Sequence, residues 1–208
     1  MTTDISICSQ ALILLGADPI ASFTEETDAA KICANRYPAL RKRLISGHPW
    51  RCMMTKKELT RDATPPIGEW RYAYIIPGEA VDAGAWAMFN GTAIDDLPAK
   101  QFEIFGRRLL TNHARALIDF VTVKPESEWP AWFADLMMYA LMADIGFAIT
   151  DQQSTADRWA QQTYGTPSEG GKGGYYGQCT TIDAQGQPNE NVQNDAFINA
   201  RAGGWGAY

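Results

Sequence analysis

The last 44 residues, Gly165–Tyr208, hold ten of the chain's 18 glycines, including Gly170-Gly171-Lys172-Gly173-Gly174. Such a stretch loses much backbone entropy on ordering and offers little apolar surface in return. It is therefore expected to be an extended arm, residues 165–208, attached to a body that carries the core. The arm ends in Asn194-Asp195-Ala196-Phe197-Ile198-Asn199-Ala200-Arg201, followed by Trp205 and Tyr208. An arm tipped with apolar anchors and a cation suits a protein that grips a neighbour.

The rest of the 208 residues is rich enough for a core. Hydrophobic residues make up 46% and there are seven tryptophans. No apolar run reaches the roughly 18 residues of a membrane helix. The start of the chain lacks a basic stretch and is interrupted by Asp4, unlike a signal peptide. Cys8, Cys33, Cys52 and Cys179 are widely spaced and the histidines are His48 and His113 alone, which argues against a structural zinc site. Cys8 and Cys33 fall on apolar helix faces and read as buried thiols. Cys179, placed in the arm, is a candidate cross-link between subunits.

Helical and strand periodicities alternate along the body. Asp4 can cap a first helix through Leu15, with Gly16 ending it. Thr24-Glu25-Glu26-Thr27 opens a second helix, whose stripe runs Ala29, Ile32, Cys33, Tyr37, Leu40, Leu44 and which Pro38 should kink or split. Trp70–Ile76, Ala85–Asn90, the hairpin about Gly106-Arg107 and Ala116–Val123 read as strands of a small antiparallel sheet. Pro130 starts a broadly apolar helix to about Ile149, on which Asp144 calls for an arginine partner. Ser154 or Thr155 can cap a fourth helix carrying Trp159 and Tyr164. The fold class is thus α+β: a bundle of about four helices (residues 1–50 and 124–164), a β-rich insertion (51–123) and the arm.

Charge is unevenly spread. Arg36–Arg61 carries eight basic residues and one acid, so the remainder is −13 within a formal total of −6. A solvated face paired with Glu25, Glu26 and Asp28 is one reading. An electrostatic contact between subunits through Arg41, Lys42, Arg43, Lys56 and Lys57 is the sharper one.

Catalytic motifs are missing: there is no G-x-S-x-G, Walker loop or H-E-x-x-H. Asp95-Asp96 and Glu126/Glu128 are the carboxylate pairs that a glycan hydrolase would use, and they read as solvated turns. Trp70, Tyr72, Tyr74 and Trp86 are the residues that a carbohydrate-binding platform would use, and they read as core.

Read in order, Leu14-Leu15-Gly16-Ala17-Asp18-Pro19-Ile20, Tyr37-Pro38 to Arg41, Leu44-Ile45-Ser46-Gly47-His48-Pro49-Trp50, Trp70-Arg71-Tyr72-Ala73-Tyr74, Trp129-Pro130 and Phe197–Arg201 resemble the tail tubular protein A family of bacteriophage head–tail adaptors. The specificity lies in the order of segments over residues 5–201, and the glycine-rich insert at about 165–188 departs from the pattern. The resemblance implies a non-enzymatic virion protein without cofactors, made in the host cytoplasm. It implies a ring, typically of twelve copies, at the phage neck beneath the portal protein. Such a ring continues the DNA channel, passes double-stranded DNA without specific binding and carries the tail or nozzle protein below. Phe197, Ile198, Arg201, Trp205 and Tyr208 would then be the portal-gripping residues.

Overall fold

A computed structural model describes residues 2–81, 87–89 and 102–186. Thr3 opens the first helix, α1 (Asp4–Leu15), with a reciprocal capping box to Ser6, and Gly16 closes it in the left-handed conformation at φ 84°. The cap is thus Thr3, one residue before the expected Asp4. α2 (Asp28–Gly47) starts at Thr27, whose hydroxyl accepts from the Ala30 N–H, and continues past Pro38 as one helix. The acids expected to open it lie instead in the preceding loop, where Glu25 accepts from the Ala21 and Ser22 N–H groups.

Two antiparallel sheets follow. β1 (Met54–Glu58), β7 (Leu117–Val121) and β4 (Ala87–Phe89) form one, in the order β1-β7-β4. β2 (Thr60–Arg61), β3 (Tyr72–Ile75), β6 (Arg108–Thr111) and β5 (Phe102–Phe105) form the other, in the order β2-β3-β6-β5. The hairpin turns at Gly106 and pairs Phe105 with Arg108, as the alternation predicts. β1 was not expected, because Lys56-Lys57-Glu58 is polar on both faces. Register holds it instead: Lys56 stands opposite Asp119, with an ion pair at 3.4 Å.

β7 is the seam between two cores. Ile118 and Phe120 pack with Leu59, Tyr74, Ile76 and Leu109 in the sheet core, whereas Val121 belongs to the helical core. That helical core is centred on α3 (Ala131–Thr150), which packs against α1, α2 and α4 (Gln153–Tyr164). α3 is long and apolar enough by length and composition to cross a membrane. Here it is the central helix, with Phe133, Leu136, Met137, Ala140 and Leu141 fully buried. Its Gly146 sits against α4 so closely that a Cβ would lie 3.3 Å from the Ala156 Cα. Gly146→Leu is therefore expected to wedge the pair apart and lose about 1–3 kcal/mol, read as a lower denaturant midpoint at unchanged slope.

The glycine-rich region corrects the expectation of an arm from Gly165 onward. A short turn at Pro167–Glu169 leads into a fifth helix, α5 (Gly174–Ala184), docked on the helical core. The glycines permit close approach. A Cβ on Gly174 would stand 2.6 Å from the Gln162 carbonyl oxygen, and one on Gly173 would overlap the Glu169 carboxylate. Glu169 is held there by the Thr166 N–H and hydroxyl. The fold is mixed α and β, with five helices and two small antiparallel sheets among the described residues.

Candidate functional site: charged and apolar surfaces

The basic segment resolves into pairs of distant origin. The Arg36 guanidinium donates twice to Asp144, at 2.7 and 2.8 Å, which meets the need read for Asp144. Arg41 turns inward. It donates to the Lys124 carbonyl at 3.0 Å, lies 3.2 Å from Glu126 and sits over the Trp129 ring at 5.6 Å. Arg41 is thus an internal strut rather than an open subunit contact. Lys57 pairs with Glu79 at 2.9 Å on the sheet surface. Lys42 and Arg43 are exposed, and Arg43 reaches Asp144 only at 3.6 Å. Five of the eight cations, Arg36, Arg41, Arg43, Lys56 and Lys57, thus face acids from α3, β7 and the loops rather than Glu25 or Glu26; Asp28 pairs with Lys31 at 3.5 Å.

The carboxylates suggested for hydrolysis separate. Glu126 accepts from the Tyr37 hydroxyl at 3.1 Å as well as facing Arg41, so it braces the α2–α3 junction. Burial first, then the Glu126 charge, pushes the Tyr37 phenol well above its usual value. Glu128 is exposed in a short turn. Asp95 and Asp96 lie outside the described residues. Among the described residues, no cluster of three or more His, Cys, Asp or Glu side chains could hold a metal.

The central aromatics likewise part company. Tyr74 is core and donates to the His113 carbonyl. Tyr72 packs on the sheet core beneath Arg61, 4.3 Å from its ring. Trp70 stands apart, its indole N–H donating to Glu103 at 2.9 Å, in a cleft of about 480 Å³ with Ile67, Phe105 and Arg108. Trp86 lies outside the described residues. Ile67 and Phe105 are the most exposed large apolar side chains described.

No family model and no curated protein matches this chain.

Cys179 corrects a second expectation. It lies on the inner face of α5, fully buried, with its thiol toward the Trp132 carbonyl, and burial pushes that thiol up to about 11. A buried, protonated thiol is a poor cross-link. Cys8 and Cys33 are buried in the helical core as expected, in mutual thiol contact, and that contact raises Cys8.

α5 is clamped to the start of the insertion by a group the sequence did not single out. Both oxygens of Asp183 accept from the Arg51 N–H, at 3.1 and 2.9 Å, and His48 Nε2 lies 3.9 Å away. His48, at the end of α2, is pulled below its ordinary value by burial, opposed by Asp183 and assisted by Lys172. The unfolded chain therefore takes the proton first. The His48 contribution to stability is whole above the ordinary imidazole value near 6.5 and is lost as pH falls from there through the lowered value of the folded protein. His48→Gln is expected to flatten the decline of Tm between about pH 7 and pH 5. An unchanged slope would show that the clamp does not sense this proton.

Phe197, Ile198, Arg201, Trp205 and Tyr208 lie outside the described residues. All five fall within the 22 residues Gln187–Tyr208 that follow α5 in the sequence.

Proposed function

We propose that this protein is a head–tail connector: a ring-forming adaptor that docks beneath a phage portal, extends its DNA channel and carries the tail. The observation that carries this reading is the chain order. Two helices, a β insertion and three further helices make one body, and the anchor-bearing segment follows the last of them. The other helices gather about α3, with α5 as the last of them, and the proposed arm follows α5 in the sequence. The occupied state of Glu126 and the burial of Tyr74 weigh against the hydrolytic and sugar-platform alternatives. Co-sedimentation of the full-length protein with the portal of the same genome tests it: a joint peak is expected, and separate peaks would contradict it.

A carbohydrate-binding reading retains one specific observation, the Trp70–Phe105 cleft with Glu69, Glu103 and Arg108 on its walls. An indole and carboxylates around an open cleft suit a sugar ring. Titration with host glycans while following tryptophan fluorescence separates the two readings. A connector leaves the signal flat.

A further inference from the structure

The C-terminal end of α2 and the loop between α4 and α5 enclose a cleft of about 430 Å³, with Arg43 and Lys172 on its rim and Leu44, Tyr164 and Tyr176 among its walls. Its lining contains two cations and no carboxylate. The Tyr164 hydroxyl oxygen is buried, with the Arg43 guanidinium as its electrostatic neighbour. Lys172 is exposed, and among the described residues its ammonium forms no ion pair. Arg43 already faces Asp144 at 3.6 Å, so the unpaired charge of the cleft is that of Lys172, and a cleft rimmed by an unpaired cation suits a carboxylate.

The complementary surface lies at the other end of the same helix. Glu26, Thr27 and Asp28 are exposed, and the Asp28 carboxylate is 94% exposed, with only Lys31 near it at 3.5 Å. α2 has 20 residues, so about 30 Å of helix separates the two surfaces and they cannot meet within one copy. A contact between unlike patches of identical chains is heterologous; it propagates from copy to copy and closes as a ring where the rotation allows. We propose that the Glu26–Asp28 segment of one copy docks in the Arg43–Lys172 cleft of the next. This rests on the ring reading above and names its contact. A DNA phosphate carries the same charge, but the chain outside Arg36–Arg61 is −13 and repels a long polyanion.

Two full-length variants test it, each checked for native far-UV dichroism: Lys172→Glu, and Glu26→Lys combined with Asp28→Lys. Mass is measured by light scattering, alone and on the portal. Each variant is expected to lose the ring. An equimolar mixture is expected to regain it, because each variant then offers what the other lacks and an even-numbered ring closes. Either variant assembling like the wild type, or a mixture that stays dissociated, would overturn the contact. So would Lys172→Glu abolishing DNA binding while leaving the ring intact. Wild-type rings that ignore the portal would overturn the connector reading and leave the contact standing. Portal-bound rings indifferent to both variants would do the reverse. A wild type that stays monomeric with and without the portal would overturn both.

Discussion

Trp50→Ala is expected to destabilise the protein by about 3–5 kcal/mol, the largest loss from any single substitution considered for this fold. Trp50 is fully buried where the two helical segments and the sheets meet. Its ring packs edge-on against Phe133 at 5.2 Å and Tyr176 at 5.5 Å, and tilted against Trp132 at 5.9 Å. Its indole N–H donates to the Leu44 carbonyl at 2.8 Å, stitching the insertion to the end of α2. One truncation therefore removes contacts to α3 and α5 together and leaves a cavity that three elements would have to collapse. For a chain of this size, about 2–4 °C of Tm accompanies each kcal/mol, so a drop of roughly 10 °C is expected. Trp50→Phe keeps most of the ring contacts and loses the hydrogen bond, and should cost about 1–2 kcal/mol. Equal losses for the two would mean that the hydrogen bond, not the packing, holds the junction.

On the connector reading, deleting residues 187–208 is expected to abolish portal docking while keeping α5 and its clamp in place. Phe197, Ile198 and Trp205 each contribute about 1.5–3 kcal/mol if fully buried against a partner. Ordering the backbone between them costs about 1–2 kcal/mol per residue. Over the nine residues from Phe197 to Trp205 that cost exceeds the apolar gain, so on the connector reading an arm also needs backbone hydrogen bonds to the portal and binds weakly alone, and a ring of arms adds strength through high effective concentration. Removing every arm removes the grip altogether. Ending the chain at Gly165 should act differently. It strips away α5, exposes Trp50 and Trp132 where Tyr176 and Cys179 covered them, and frees the Arg51 N–H from Asp183. That shorter chain should lose several kcal/mol. Docking that survives deletion of 187–208 would move the portal contact elsewhere on the body.

Much of the body could be read from local pattern. The left-handed stop at Gly16, the proline start of α3 and the Gly106 hairpin each follow from one residue's backbone preference, and each stands where expected. The errors share a cause. Gly170–Gly174 reads as a flexible composition, yet Gly173 and Gly174 lie where backbone and the Glu169 carboxylate leave no room for a Cβ. Close approach and flexibility select the same residue, and only tertiary structure distinguishes them. β1 was hidden because cross-strand register, which no local alternation reports, holds it. The basic segment looked like a free surface because its acids come from far along the chain: Asp144 lies 108 residues from Arg36, and Glu126 braces Arg41 from the other side of the insertion. The clamp at Asp183 gave no signal at all, since a lone acid late in a glycine-rich stretch reads as solvated.

The most direct test of the connector account is electron microscopy of the full-length protein mixed with the portal of the same genome. The account predicts a closed ring of density coaxial with the portal, with the helical bodies beneath it and one thin extension per copy reaching up its side. A bare portal among unassembled copies of this protein would contradict it.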